Sequence, residues 1–142
     1  MTKRILLVED EPNIVEAIRF ILSRDGWQVA THSDGKSAVE AVLRDLPDVV
    51  VLDVMLPGRS GFEILRELRD RAETVALPIL MLTAKGQVRD REEAERIGVT
   101  KFMTKPFSNS DVLRAVNDMV DAALHGAEAI PASAPIPDAQ RG

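Results

Sequence analysis

Three short apolar runs recur along the chain, at residues 5–8 (ILLV), 49–52 (VVVL) and 79–82 (ILML). None of them alternates between apolar and polar positions, so each fits a parallel strand that is covered on both faces. Two weaker strand candidates occupy residues 28–32 and 101–104. The pattern therefore predicts a series of short strands spread over most of the chain.

Helical patterns separate and follow these strands. Apolar residues recur at helical spacing over residues 14–22, 38–46 and 112–123. Glycine or proline stands at the joins, for example at Gly26 and Pro78. Because parallel strands need crossover connections, this alternation predicts one α/β domain with an open, five-stranded parallel sheet and helices on both faces.

A further predicted helix, at residues 86–97, is unusually polar. Seven of its twelve residues are charged, and only Val88, Ala94 and Ile97 are apolar enough to anchor it. It is expected to bury little surface and to be among the more mobile elements. Two interpretations are equally compatible with this pattern, a solvated surface helix and an element that moves in function.

The helical pattern ends near Leu124. Residues 125–142 are rich in Ala and Pro and show no periodicity, which predicts a disordered tail or linker after a domain at residues 1–124. With 142 residues, the chain is long enough for one domain of this kind.

Charge and composition exclude several classes of protein. The formal net charge is −5 and no run of Lys and Arg is long enough to track a phosphate backbone, which argues against direct nucleic-acid binding. The absence of cysteine excludes disulfides and thiolate metal sites. The first apolar run is too short for a signal peptide and no stretch approaches the ~20 residues of a membrane span, so a cytoplasmic protein is expected.

Polar side chains follow the predicted strands directly. They are Glu9, Asp10 and Glu11 after the first strand, Asp53 after the third, Thr83 at the end of the fourth and Lys105 after the fifth. Ligands of an open α/β sheet bind at the carboxyl ends of its strands, so these groups are expected to converge. An ionised Asp53 at the mouth of the core is costly to desolvate, which points to a counter-charge or to a use.

This inventory favours metal-assisted chemistry at phosphorus. Crowded carboxylates need a cation, and an all-oxygen set without His or Cys suits Mg²⁺ before Zn²⁺. Asp53 can then act as a nucleophile toward phosphorus, while the metal, Lys105 and Thr83 hold the phosphoryl oxygens.

Four motifs, in this order and spacing, resemble those of the receiver domain of two-component response regulators. They are V-E-D-E-P from Val8, V-L-D-V-M-L-P-G-x-S-G from Val51, L-T-A-K from Leu82 and K-P-F from Lys105. The resemblance extends over about residues 3–124 and implies a flavodoxin-like (βα)5 fold with strand order 2-1-3-4-5. It also implies a sensor histidine kinase or histidine phosphotransfer protein as phosphodonor and an output protein as partner.

The resemblance implies a role for each matching residue. Asp53 would be the phosphoryl acceptor and a Mg²⁺ ligand, Glu9 and Asp10 the acidic pair that binds Mg²⁺ directly or through water, and Met55 a ligand through its backbone carbonyl. Thr83 would be the switch hydroxyl, Lys105 the contact of the phosphoryl group and Phe102 the aromatic switch. The resemblance further implies a cis Lys105-Pro106 peptide, with Ala84 leaving the site accessible.

Two features depart from the commoner pattern of the family. The first acid is Glu9 where Asp is frequent, and its longer side chain favours a water-mediated metal contact. Thr100 and Lys101 stand where many receivers of transcription factors carry acids. This argues against the charge-paired dimer of such regulators, so a monomer or a weak, phosphorylation-dependent dimer is expected.

Structural interpretations compete at several of these positions. Glu11 is assigned to capping the first helix, since acids belong at a helix N-terminus. For Glu9 and Asp10, capping and metal binding are compatible, and metal binding is preferred. Thr83 taken alone would be a strand terminus, and Phe102 is equally well explained as core.

The leading functional hypothesis is a phosphorylation-controlled signalling switch that promotes only its own phosphorylation and dephosphorylation. Its output would come through protein contact, because the chain encodes no effector domain. There are two versions: a stand-alone regulator or phosphorelay shuttle, and the receiver part of a larger transcriptional regulator whose output domain is absent. The length of 142 residues favours the first version.

Other classes of protein fit less well. A Mg²⁺-dependent phosphohydrolase on a similar sheet typically has D-x-D at a strand end, which neither residues 8–13 nor residues 52–56 provide. A flavin or nucleotide binder needs a Gly-rich or Ser/Thr-rich loop after the first strand, where this chain has the acidic E-D-E-P-N. A degenerate receiver that acts only as a scaffold is disfavoured by the complete set of acids, Thr and Lys.

Overall fold

The computed structural model describes residues 3–84 and 88–129, which form five strands and five helices in alternation. The strands are β1 (Lys3–Val8), β2 (Trp27–His32), β3 (Val49–Asp53), β4 (Ile79–Thr83) and β5 (Lys101–Thr104). The helices are α1 (Pro12–Arg24), α2 (Ala38–Asp45), α3 (Gly61–Asp70), α4 (Val88–Ile97) and α5 (Asn109–Ala129). All strands predicted from the apolar runs are confirmed.

The strands form one parallel sheet in the order β2-β1-β3-β4-β5, as the resemblance implied. At the carboxyl edge, Asp53 pairs with Leu82 and Thr83 pairs with Thr104. This register brings the ends of β3, β4 and β5 level with one another. The polar residues that end or follow the strands therefore share one edge of the sheet.

Helices cover both faces of the sheet, as predicted. In β3, Val49 and Val51 pack in a core with α1 and α5, whereas Val50 and Leu52 pack in a second core with α2, α3 and α4. Every residue of β3 and β4 is buried. Burial on both faces explains why these strands are continuous apolar runs up to their final polar residue.

Helix α4 departs from the sequence prediction in one respect. Of the three residues expected to anchor it, Ala94 is buried and Ile97 is half-buried, but Val88 is 69% exposed. The first turn of α4 is therefore not fixed by an apolar side chain. Gly86 and Gln87, which were predicted to belong to this helix, lie outside the described residues.

Helix α5 is longer than predicted, because it continues past residue 124 to Ala129. The first residues of the predicted tail are thus helical rather than linker-like. The sequence of residues 125–129 is HGAEA, in which Ala and Glu are strong helix formers, so the helix continues without an apolar stripe. The rest of the predicted tail, residues 130–142, lies outside the described residues. Within the described ranges, no helix combines the length and apolar character needed to cross a bilayer.

Candidate functional site

Three carboxylates meet at the carboxyl edge of the sheet. Glu9 and Asp10 follow β1 directly, and Asp53 ends the neighbouring strand β3. One carboxylate oxygen from each residue lies within 4.8 Å of the others. Glu9 and Asp53 are buried, whereas Asp10 is exposed. The folded chain thus gathers acids that are more than forty positions apart in the sequence.

Lys105 brings a positive charge to this cluster from the end of β5. Its Nζ lies 3.2 Å from Oε1 of Glu9 and 3.6 Å from Oδ1 of Asp53. The backbone N–H of Lys105 donates to the carbonyl of Thr83 at 2.7 Å, which ties the residue to β4. The Lys105-Pro106 peptide bond is cis, as the resemblance implied.

Burial dominates the electrostatics of the cluster. Burial is the largest influence on the pKa of Asp53 and on that of Glu9, and it raises both pKa values. The charge of Lys105 lowers both pKa values, while the charge of Asp10 raises that of Asp53 and the charge of Asp53 raises that of Glu9. Two carboxyls that hold protons more tightly than usual beside one ammonium would be stabilised by a further cation.

One oxygen of Asp53 supports the idea of a cation at this place. Oδ1 of Asp53 is buried and accepts no hydrogen bond from the described part of the chain. Buried polar atoms rarely lack a partner, so this one requires an explanation. The cluster offers three carboxylates and no nitrogen or sulfur ligand. This donor set fits a hard divalent cation such as Mg²⁺.

A close backbone approach at the start of α3 fixes the position of Asp53. The N–H of Gly61 donates to the carbonyl of Val54 at 2.8 Å. A Cβ atom on Gly61 would lie only 2.3 Å from the carbonyl oxygen of Asp53, so only glycine fits here. Ser60 and Glu63 form a reciprocal capping box at the first turn of α3. Together these contacts fold the β3–α3 loop back onto the backbone of Asp53.

Two further predicted site residues lie next to Asp53. Thr83 is buried at the end of β4, the strand beside β3. The backbone amide of Met55 lowers the pKa of the Asp53 carboxyl, while the side chain of Met55 is 71% exposed. The backbone of Met55 is therefore at the site, and its side chain is directed away from the core.

Phe102 lies further from the carboxyl edge, on β5, and is covered by α4. Its ring is buried in the core that α2, α3 and α4 form against the sheet. The guanidinium carbon of Arg91 lies 5.3 Å from the centre of this ring, within the range of a cation–π contact. Sequence reasoning missed Arg91, because an arginine in a highly charged helix gives no sign of the ring on which it packs.

Glu11 lies at the start of α1, as predicted, but its side chain does not cap the helix. It is the N-cap residue of α1, yet its side chain makes no capping hydrogen bond. Its backbone N–H instead donates to Oε2 of Glu9 at 3.1 Å. Glu11 thus serves the cluster through its backbone, and its carboxylate is not among the three that converge.

The chain belongs to the family of response regulator receiver domains. The family model described as response regulator receiver domain matches residues 5–117, which is most of the chain. Members of this family are phosphorylation-activated signalling switches, and the motifs, the fold and the acidic cluster all agree with this assignment.

Curated relatives of the chain are transcriptional regulatory proteins. The probable transcriptional regulatory protein TcrX of Mycobacterium tuberculosis is 46% identical over 109 residues, which are 77% of this chain and 46% of TcrX. The alkaline phosphatase synthesis transcriptional regulatory protein PhoP of Bacillus subtilis is 42% identical over 128 residues, which are 90% of this chain and 51% of PhoP. The chain thus spans about half the length of these relatives.

A solved structure of similar fold comes from Pseudomonas aeruginosa PAO1. It is the receiver domain of the sensor histidine kinase PA1611, with a magnesium ion coordinated in its active-site cleft. It is 30% identical with a TM-score of 0.78, and the match covers 85% of this chain and 99% of that one. The likeness supports the strand order and the helices on both faces of the sheet.

Proposed function

We propose that the chain is a cytoplasmic signalling switch in which Asp53 accepts a phosphoryl group from a phosphohistidine. The donor would be a sensor histidine kinase or a histidine phosphotransfer protein. The observation that carries the proposal is the buried Oδ1 of Asp53, which accepts no hydrogen bond from the described residues and lies 3.6 Å from Lys105 Nζ. A buried carboxylate oxygen that lacks a donor requires a use, and a carboxylate with one oxygen on a cation can attack phosphorus with the other.

Mg²⁺ is the cofactor of this proposal. Asp10 and Asp53 would bind it through carboxylate oxygens, Met55 through its backbone carbonyl, and Glu9 through a water molecule. Bound there, Mg²⁺ would neutralise the carboxylates and the incoming phosphoryl oxygens. Support comes from the three carboxylates whose oxygens lie within 4.8 Å of one another.

Phosphoryl transfer at this site depends mainly on positioning. A carboxylate oxygen of Asp53 forms the new P–O bond while the P–N bond of the phosphohistidine breaks, and the leaving imidazole keeps the electron pair of that bond. We assign the Lys105 ammonium and the Thr83 hydroxyl to the phosphoryl oxygens. A groove of about 500 Å³ opens beside Lys105 and is lined in part by Ala84 and by residues of α1.

We assign the surface that contacts the output partner to α4 and β5. The phosphoryl group adds roughly −2 charge beside Thr83, which biases an equilibrium at Phe102. The contact between Arg91 and Phe102 gives α4 a direct connection to that residue. Since the output is a protein contact, the chain would turn over no external substrate. It would act as a monomer or a weak, phosphorylation-dependent dimer.

The proposal concerns the receiver domain, whose end we place at the end of α5, Ala129, rather than at residue 124. The same switch would serve a stand-alone regulator, a phosphorelay shuttle or the receiver part of a longer transcriptional regulator. This chain matches about half the length of each curated relative. The receiver part of a longer transcriptional regulator therefore stays a candidate together with the other two versions.

Intact mass spectrometry after incubation with Mg²⁺ and acetyl phosphate tests the proposal. The wild type is expected to gain one phosphoryl group and to lose this gain when EDTA is present. Asp53→Asn keeps the shape of the side chain but removes the nucleophile, so it should gain none. Asp118→Asn changes an exposed carboxyl of α5 and is the matched control, which should label like the wild type.

Two outcomes would contradict the proposal. Phosphoryl addition that persists in Asp53→Asn would show that another residue is the acceptor. No addition to a wild-type protein that is folded and binds Mg²⁺ would favour a receiver-like scaffold that reads a different signal.

A further inference from the structure

The β3–α3 loop, residues 54–60, lies directly against the β2–α2 loop, residues 33–37. The backbone N–H of Gly35 donates to the carbonyl of Pro57 at 2.9 Å. A Cβ atom on Gly35 would lie 2.3 Å from the carbonyl oxygen of Arg59 and 2.9 Å from its backbone nitrogen. Both distances are shorter than real Cβ contacts, so only glycine allows the two backbones to approach this closely.

Side-chain hydrogen bonds order the β2–α2 loop at this place. Oδ1 of Asp34 accepts a hydrogen bond from the Lys36 N–H at 3.3 Å, and Oδ2 accepts one from the Ser37 hydroxyl at 3.2 Å. A bond from an aspartate to the backbone two residues on is typical of a tight turn. Because these contacts hold the loop on its own side, Gly35 donates to Pro57 from a fixed position.

Met55 lies between two fixed points of the β3–α3 loop. On one side, the N–H of Val54 donates to the carbonyl of Leu82 at 2.9 Å, which ties the start of the loop to β4. On the other side, the carbonyl of Pro57 accepts the hydrogen bond from Gly35. Hydrogen bonds to neighbouring elements therefore hold the backbone before and after Met55.

We propose that Gly35 is a positioning residue for the Mg²⁺ site, because it holds the loop that supplies the Met55 carbonyl. Gly35 itself touches neither the cation nor the phosphoryl group. The inference deepens the proposed function and rests on it, since the position of the Met55 carbonyl matters only if Mg²⁺ binds beside Asp53.

A carbonyl ligand depends on such support more than a carboxylate ligand does. A carboxylate can follow a cation by rotating its side chain, whereas the Met55 carbonyl moves only with its backbone. Mg²⁺ requires near-ideal octahedral geometry at about 2.0–2.1 Å. In Gly35→Ala, the Arg59 backbone would have to move by about 1 Å to reach ordinary contact with the new Cβ at 3.4 Å. Loss of a group that orients a metal ligand from outside typically costs about tenfold or more in metal affinity.

Titration with Mg²⁺ by calorimetry, without a phosphodonor, tests the inference. Gly35→Ala should bind Mg²⁺ about tenfold more weakly than the wild type. Gly26→Ala is the matched control, because a φ of +93° strains an added side chain there too, but Gly26 precedes β2 at the opposite edge of the sheet. It should retain the affinity of the wild type. Wild-type affinity in a folded Gly35→Ala, or an equal loss in Gly26→Ala, would overturn the inference.

A milder pair of variants decides the question if Gly35→Ala does not fold. Asp34→Ala removes the acceptor of the Lys36 N–H, whereas Asp34→Asn removes the charge but keeps an oxygen for that bond. Asp34→Ala should therefore bind Mg²⁺ several-fold more weakly than Asp34→Asn. Equal affinities of these two variants would overturn the inference.

Amide hydrogen exchange in EDTA separates the inference from the proposed function. Peptides from residues 54–61 should exchange faster in Gly35→Ala than in the wild type, and at the wild-type rate in Gly26→Ala. An unchanged rate in Gly35→Ala would overturn the inference and leave the phosphoryl-acceptor role of Asp53 intact. A wild type that binds no Mg²⁺ would overturn both.

Discussion

Asp53 ends a strand whose other residues are all apolar, and it is itself only 3% exposed. Burial raises the pKa of its carboxyl, and the charge of Lys105 only partly offsets this effect. Its Oδ1 also lacks a hydrogen-bond donor among the described residues. A residue retained for stability would not combine these features. The ionised carboxylate of Asp53 should therefore destabilise the metal-free domain.

Asp53→Asn is expected to raise the melting temperature in EDTA, by an amount that depends on pH. The pKa of Asp53 in the folded state lies above its ordinary value of 3.8. The folded state therefore binds this proton more tightly than the unfolded state, and that stabilisation is present at low pH and is lost as pH rises through the folded pKa. Each unit of pKa shift corresponds to about 1.4 kcal/mol. The advantage of Asp53→Asn should thus grow from about pH 4 to about pH 8 in thermal unfolding.

The control for this prediction is Asp118→Asn, which removes one exposed carboxylate and should not reproduce the pH-dependent difference. Excess Mg²⁺ should reverse the order of the two proteins, because the wild type then gains binding energy that Asp53→Asn lacks. A melting temperature of Asp53→Asn below that of the wild type in EDTA at neutral pH would contradict the prediction.

At the scale of the elements, one arginine connects α3 to the two loops at the amino end of the sheet. The guanidinium of Arg69 donates to the carbonyls of Gly98, Thr74, Val75 and Leu77 and to the hydroxyl of Thr100. The C-terminal end of α4 is thereby held to α3. In the first turn of α4, Val88 is exposed and the contact seen among the described residues is that of Arg91 with the Phe102 ring. Any movement of α4 is therefore expected to be largest at its N-terminal end.

Arg69→Ala is expected to lower the free energy of unfolding by about 3 kcal/mol, because two part-buried carbonyls and two exposed ones lose their donor at once. Arg69→Lys should recover only part of the loss, since an ammonium lacks the planar fork of donors. Urea unfolding provides the measurement. Arg66→Ala is the matched control on the same helix. It breaks an exposed ion pair with Glu93 at 3.3 Å and should cost less than about 1 kcal/mol. An equal loss of unfolding free energy in Arg69→Ala and Arg66→Ala would contradict the stabilising role of the Arg69 hydrogen bonds.

The elements could be predicted from sequence because their causes are local. An apolar run such as residues 79–82 identifies a strand buried on both faces wherever its neighbours lie. The hydrogen bonds of the Arg69 guanidinium could not be predicted, since its acceptors are mainly backbone carbonyls, which every residue type provides. The same limit applies to the site. The sequence predicts that Lys105 meets the acids, but the distances of its ammonium from Glu9, 3.2 Å, and from Asp53, 3.6 Å, are decided by packing.

For the whole molecule, folding and metal binding are linked. Asp53 lies more than forty positions from the adjacent Glu9 and Asp10 in the sequence, so the cluster exists only in the folded chain. A cation that binds the cluster therefore stabilises the fold by mass action, by about 2.7 kcal/mol at one hundred times its dissociation constant. Since burial raises the pKa of Glu9 and of Asp53, protons compete with the cation for these oxygens.

Mg²⁺ is accordingly expected to raise the free energy of unfolding of the wild type, more strongly at about pH 8 than at about pH 5. Urea unfolding at a series of MgCl₂ concentrations, with ionic strength held constant by NaCl, measures this dependence. Asp10→Ala should flatten it, because the exposed carboxylate of the cluster is lost. Glu40→Ala removes an exposed acid of α2 and should respond like the wild type. If Mg²⁺ stabilised Asp10→Ala as much as the wild type, Asp10 would not be a ligand of the cation.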